Sequence, residues 1–162
     1  MCALIGTDVL FGFFLRLRKE YILDFALDGE EAVRKCDETA YSIIFMDLHM
    51  PNMDGIEATR HIRKMEKRKG RRRSCICAVT ATTLKEQEEK CIEVGMEYFM
   101  TKPFQMRSLQ LLLGRIERKL KKGRSPPKRK LDENGLGRPW KERDVSEGDV
   151  KIENGSFVMD EG

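Results

Sequence analysis

Residues 45–55 read FMDLHMPNMDG, and they set one carboxylate, Asp47, directly behind the apolar run Ile43-Ile44-Phe45-Met46. A charged group at the end of a buried strand is expensive unless a partner or a reaction uses it. The run predicts a short strand over residues 42–46 (SIIFM), with Asp47 at its carboxyl end. The neighbours of that edge decide between a structural carboxylate and a working one.

Outward from this stretch the chain alternates strand-like and helical segments. Further strands are predicted over 21–26 (YILDFA), 75–79 (CICAV) and 98–100 (YFM). Helices are predicted over 30–36, 56–67, 84–94 and 106–121, the third ending at Gly95, a residue suited to helix termination. Such alternation argues for an α/β, doubly wound parallel sheet with crossover helices on both faces, here one strand short. Ligands of these sheets collect outside the carboxyl ends of the strands. The residues there are polar: Asp47 after the second strand, Thr80 after the third in AVTA, and Lys102 after the fourth in MTKPF. A carboxylate, a hydroxyl and an ammonium at one edge suit phosphoryl chemistry, in which aspartate is a known nucleophile that forms an acyl phosphate. Lys102 then acts as a point charge against phosphate oxygens, Thr80 donates a hydrogen bond to one of them, and Pro103 fixes a turn that aims the lysine. Singly, each residue has a plainer reading: the aspartate as a turn former, the threonine as an ordinary strand residue, the lysine as a solvated charge. Their common register favours the working site.

Composition bounds the rest. The 162 residues suit one α/β domain with some chain left over. Five cysteines, Cys2, Cys36, Cys75, Cys77 and Cys91, are odd in number and show no C-x-x-C spacing, which points to reduced thiols in an intracellular protein rather than to disulfides or zinc. The apolar start, MCALIGTDVLFGFFLRL, lacks a basic leader and a cleavage site, is broken by Asp8, and is too short and polar to span a bilayer. It reads as a core-facing helix with Val9, Leu10, Phe13, Phe14 and Leu17 on one face. The formal charge of +4 belongs to residues 1–121, whereas 122–162 hold nine basic and nine acidic side chains. Rich in Gly, Pro and charge, without a sustained apolar period, that tail predicts disorder. The expected division is a domain over 1–121 and a charged tail over 122–162. Within the tail, PPKRKL from Pro126 to Leu131 is similar to a basic nuclear-import signal, against the plainer reading of a solvated linker in a cytoplasmic protein.

Residues 21–121 resemble the receiver domain of two-component response regulators, especially those attached to hybrid histidine kinases. The carriers are DGEEAV at 28–33, FMDLHMPNMDG at 45–55, AVTA at 78–81 and GMEYFMTKPF at 95–104, in order and at family-like spacing. The resemblance implies a flavodoxin-like receiver fold and a phosphorelay role in signal transduction. It implies no enzyme in its own right, and the chain shows no ATP-binding kinase segment. Asp47 is then the phosphoacceptor, supplied by a phosphohistidine on a histidine kinase or a histidine phosphotransfer protein, with Thr80 and Lys102 contacting the phosphate. Phe99 takes the position of the switch aromatic, Asp54 and Gly55 end the phosphorylation loop, and Mg²⁺ is held by Asp47, the His49 backbone carbonyl and an acidic pair. A downstream protein is expected on the face of the last strand and last helix.

The chain departs from the family at its beginning. A receiver opens with an apolar strand ending in two adjacent acidic residues, and the corresponding positions, Met1 to Leu4, hold none. The expectation is a truncated sheet without its first strand, a Mg²⁺ site left incomplete, and marginal stability, with Asp8 a replacement ligand only if the first helix is a turn shorter. Three readings compete: a phosphorelay receiver that is a fragment of a longer regulator or hybrid kinase, a phosphorylation-deficient pseudo-receiver acting as a protein-binding module, and a nucleic-acid-directed regulator using Arg71, Arg72, Arg73 and the basic 119–130 region. The first is preferred; the last is weakest, because no recognition helix or aromatic-interleaved basic patch is present.

Overall fold

The computed structural model describes residues 2–5, 22–81, 84–103, 105–121, 151–153 and 156–158. Five strands form one parallel sheet: β1 (Cys2–Ile5), β2 (Leu23–Ala26), β3 (Ile43–Asp47), β4 (Cys75–Thr80) and β5 (Tyr98–Thr101), in the order β2-β1-β3-β4-β5. The described helices are α1 (Gly29–Glu38), α2 (Gly55–Arg68), α3 (Lys85–Glu93) and α4 (Met106–Lys121). This is the doubly wound order whose direction of winding reverses between β1 and β3, the place where such sheets carry their ligands.

The first strand, expected to be missing, is present. Cys2 pairs with Leu23 on one side and Ile43 on the other, and the register runs to Ile5 beside Ala26 and Met46. Four residues suffice because β2 is no longer, and a strand flanked on both sides has its ladder groups satisfied by two neighbours. CALI lacks the acidic end that marks such a strand, and in sequence its apolar run is continuous with the helical pattern behind it. The premise for marginal stability falls with this correction. The expected helix carrying Val9 to Leu17, and Asp8 with it, lies outside the described residues.

Both faces of the sheet are covered, which is why β3 and β4 are buried along their whole length rather than alternating with solvent. Ile44, Met46, Ile76 and Ala78 point to one side and pack with Ala32 and Cys36 of α1, Ala58 and Ile62 of α2 and Cys91 of α3. Ile43, Phe45, Cys77 and Val79 point to the other and meet Leu109, Leu112, Leu113 and Ile116 of α4. Each fully buried large side chain of this kind contributes about 1.5–3 kcal/mol. Lys119 of α4 adds a 2.8 Å hydrogen bond to the Tyr98 hydroxyl.

Helix ends follow local chemistry. Asp28 and Asp54 cap α1 and α2, each accepting a 2.8 Å hydrogen bond from the amide three residues on, Glu31 and Glu57. Gly95 ends the turn after α3 with φ +92°, its amide donating to Ile92 and that of Met96 to Cys91, as a glycine stop predicts.

The tail also differs in part from expectation. Strands β6 (Lys151–Glu153) and β7 (Ser156–Val158) form a separate two-stranded antiparallel sheet. The signal was legible: Asn154-Gly155 between KIE and SFV is the two-residue sequence that favours a tight hairpin, with Ile152 opposite Phe157. The basic segment from Pro126 to Leu131 lies outside the described residues. Among those described, no helix is long and apolar enough to cross a membrane.

Candidate functional site

The parallel register brings the three sequence-selected residues to one edge. Asp47 is the last residue of β3, Thr80 the last of β4, and Lys102 follows β5. Asp47 and Thr80 are buried, at 2% and 0% exposure. The Lys102 ammonium donates to Asp47 Oδ2, and the His49 amide donates to Asp47 Oδ1 at 3.0 Å. The Lys102 amide donates to the Thr80 carbonyl at 2.7 Å, and the Lys102–Pro103 peptide bond is cis, so the chain turns directly under the lysine. The Thr80 hydroxyl donates to Gln87 Oε1 at 3.4 Å, and Gln87 Nε2 lies 3.4 Å from His49 Nε2.

The loop after Asp47 is shaped by close approach. A Cβ on Gly55 would stand 2.2 Å from the Asp47 carbonyl oxygen, so only glycine lets α2 start against the end of β3. Asn52 takes φ +62°, a left-handed conformation that asparagine tolerates, and its side-chain amide donates at 2.8 Å to Asp28 Oδ2. That bond ties the loop to the cap of α1, and a Cβ on Gly29 would meet the Met53 carbonyl oxygen at 2.4 Å. Asp54, at the end of that loop, is a helix cap. Phe99 is partly buried and packs against the core on the side of Met46 and Ala78.

Three further observations were not read from the sequence. Gln87, with no motif to mark it, spans Thr80 and His49. The arginines expected at a solvated or phosphate-binding loop are instead partly internal: Arg71 donates to the Cys36 carbonyl at 2.8 Å, and Arg73 donates to Gly95 and Glu97 at 3.0 and 2.9 Å. Arg63 of α2 completes a buried cluster by donating to both Glu97 oxygens at 2.9–3.0 Å, to Glu66 at 2.7 Å and to the carbonyls of Ser74 and Gly95. Burial pushes the Glu97 carboxyl above the ordinary carboxylate range, against the pull of Arg63, the Ile76 amide and Arg73. With Arg71 and Arg73 engaged in this way, the nucleic-acid reading loses two of its contacts.

The implied magnesium can be tested against these donors. Among the described residues no group of three or more His, Cys, Asp and Glu side chains is placed to hold a metal ion. Asp47 has one carboxylate oxygen on Lys102 and the other on an amide, Asp28 and Asp54 nearby are engaged as helix caps, and the His49 carbonyl does not bring the set to the octahedral requirement. The described residues therefore do not make a magnesium site by themselves. Cys36, Cys75, Cys77 and Cys91 are buried and not in disulfides, and burial pushes the Cys36 and Cys91 thiols up to about 12, so these two are inert packing groups at neutral pH.

Against known proteins, residues 9–113 match the family model for the response regulator receiver domain. The hybrid signal transduction histidine kinase B of Dictyostelium discoideum is 38% identical over 117 residues, which are 66% of this chain and 6% of that protein. Probable histidine kinase 2 of Oryza sativa subsp. indica is 49% identical over 69 residues, 43% of this chain and again 6% of the relative. The chain thus spans a small fraction of the length of these relatives. Among solved structures, the receiver domain of a Pseudomonas aeruginosa sensor histidine kinase, crystallised with magnesium in its active-site cleft, matches with TM-score 0.61 and 33% identity over 72% of this chain and 97% of that one. The Saccharomyces cerevisiae receiver domain of Ssk1, co-crystallised with the histidine phosphotransfer protein Ypd1, matches with TM-score 0.67 and 28% identity over 74% and 89%.

Proposed function

The chain belongs to the response regulator receiver domain family, and from that premise we propose that Asp47 is its phosphoacceptor, fed by a phosphohistidine on a histidine kinase or histidine phosphotransfer protein. The observation that carries the reading is the convergence of Asp47, Thr80 and Lys102 at the carboxyl ends of β3, β4 and β5, with the lysine already on the carboxylate. An Asp47 oxygen attacks phosphorus, the phosphorus–nitrogen bond of the phosphohistidine breaks, and its electron pair leaves with the imidazole. The product is an acyl phosphate carrying roughly −1.5 to −2 charge. Lys102, a compact cation on a flexible stem, transfers from the carboxylate to a phosphoryl oxygen, and the Thr80 hydroxyl donates to another.

Drawing Thr80 inward opens room for Phe99, one strand over in the β4–β5 pair, to turn in, and this reshapes the face of α3, β5 and α4. That face is the proposed surface for a downstream protein, and Phe99→Ala should alter partner binding without abolishing phosphorylation.

The direct test is intact-mass spectrometry after incubation with acetyl phosphate and magnesium. Wild type should gain one phosphoryl group and Asp47→Asn none. Label that persists in Asp47→Asn overturns the assignment, and no label in wild type leaves a receiver-shaped binding module.

A further inference from the structure

The helices on the first face start differently. Helices α1 and α2 each begin on a capping aspartate, whereas α3 begins after Leu84, which makes no side-chain cap hydrogen bond and is 63% exposed. The amides of Gln87 and Glu88 both donate to the Leu84 carbonyl, at 3.0 and 3.1 Å. The Gln87 side chain joins this weakly capped turn to the acceptor edge by two contacts, to the Thr80 hydroxyl and to His49, both at 3.4 Å. Contacts of that length are weak and readily exchanged.

A hydroxyl has one proton to give. The Thr80 proton that points at Gln87 is not available to a phosphoryl oxygen on Asp47, and a hydrogen bond to a charged oxygen is roughly twice as strong as one to a neutral amide. Gln87 and the phosphoryl group are therefore competitors for one donor, and the phosphoryl group wins.

We infer that Gln87 is a positioning residue that tethers the first turn of α3 to Thr80 and His49, and that phosphorylation at Asp47 releases this turn by taking the Thr80 proton. The inference rests on the acceptor role proposed above.

Amide hydrogen exchange of the full chain, read by mass spectrometry over residues 84–93 with and without acetyl phosphate, tests it. One hydrogen bond of ordinary net strength corresponds to about two- to tenfold in an opening equilibrium. The first turn of α3 should exchange faster by that factor in Gln87→Met than in wild type, with α2 and α4 unchanged. Gln87→Glu, which keeps an oxygen acceptor for Thr80, should retain wild-type protection. Acetyl phosphate should accelerate the same turn in wild type and add little in Gln87→Met. Equal exchange in wild type and Gln87→Met, or a labelled wild type whose first turn does not loosen, overturns the tether. If wild type takes no label, the acceptor reading has failed on its own, and the unphosphorylated comparison still decides the tether.

Discussion

The two ends of the sheet use the same ingredients, a buried carboxylate beside a cation, to opposite purposes. At the amino end, ahead of β4 and β5, Glu97 accepts from Arg63 and Arg73 on one oxygen and from Arg63 and the Ile76 amide on the other. Glu66 is likewise filled, by Arg63 and the Ser74 amide. At the carboxyl end Asp47 has a lysine on one oxygen and a backbone amide on the other, under a loop that carries exposed His49, Pro51 and Asn52. Guanidinium forks lock geometry by several fixed donors, whereas an ammonium on a four-carbon stem gives a point contact that can be handed to an incoming anion. On the proposed function this difference separates a clamp from a site: guanidinium forks hold Glu97 in place, and a lysine that can transfer to a phosphoryl oxygen suits Asp47 to accept one.

The sharpest way to break the comparison is to remove Arg63. Arg63→Met leaves Glu97 and Glu66 buried with fewer donors, and the expected loss is about 3–5 kcal/mol of unfolding free energy at neutral pH. The pH dependence follows from the raised Glu97 carboxyl, for which Arg63 is the first of the groups pulling downward. A carboxyl raised above its unfolded value contributes its full stability below that unfolded value and loses it as pH rises through the folded one. Without Arg63 the folded value rises further, so the gap between variant and wild type in urea titrations should narrow as pH falls from neutral towards the ordinary glutamate value of 4.5. A gap that stays constant or widens would show that the clamp is not held by Glu97 ionisation.

Lys102→Met at the other end should cost less, about 1–2 kcal/mol for one charge-assisted hydrogen bond. It should nonetheless strip Asp47 of most of its phosphoryl uptake from acetyl phosphate, while Arg63→Met, in its folded fraction, retains it. Equal destabilisation by the two variants would erase the distinction drawn here.

The smallest effect belongs to Asp24 on β2, an intermediate case whose side chain is 42% exposed and meets Lys35 Nζ at 2.8 Å as well as the Tyr41 hydroxyl. Those two groups, Lys35 first, hold its carboxyl below the ordinary aspartate value of 3.8. A depressed carboxyl contributes stability above its unfolded value and loses it as pH falls through the folded one. Asp24→Asn should therefore cost under about 1 kcal/mol at pH 7, after screening by solvent, and its cost should vanish as the solution is acidified below the ordinary value.

Much of this was legible along the chain. Apolar runs closed by Asp47 and Thr80, and the run before Lys102, placed three of the strands to within a residue or two. The glycine after Val94 acted where its chemistry predicts, and the aspartates at 28 and 54, not singled out as caps, proved to be helix caps through equally local chemistry. These features are local: burial on both faces demands unbroken apolar strands, caps demand short oxygen side chains, and a left-handed turn demands glycine. Asn154-Gly155 was equally local and was passed over because charge and glycine content around it outweighed a two-residue signal.

The rest belongs to the tertiary structure. That CALI is a strand at all is decided by β2 and β3, which flank it; four residues carry no period of their own. Arg63, Arg73 and Glu97 are separated by up to 34 positions in sequence and meet only because α2, the loop before β4 and the approach to β5 converge at one end of the sheet. Gln87 reaches Thr80 and His49 for the same reason, since a contact between side chains on three different elements leaves no trace in spacing. The sequence by itself determined which groups stand at the carboxyl edge, because strand ends and turn residues are short-range facts. Only the packed sheet decided which carboxylate meets guanidinium forks and which meets a lysine, because that depends on which donors other segments bring within hydrogen-bond reach.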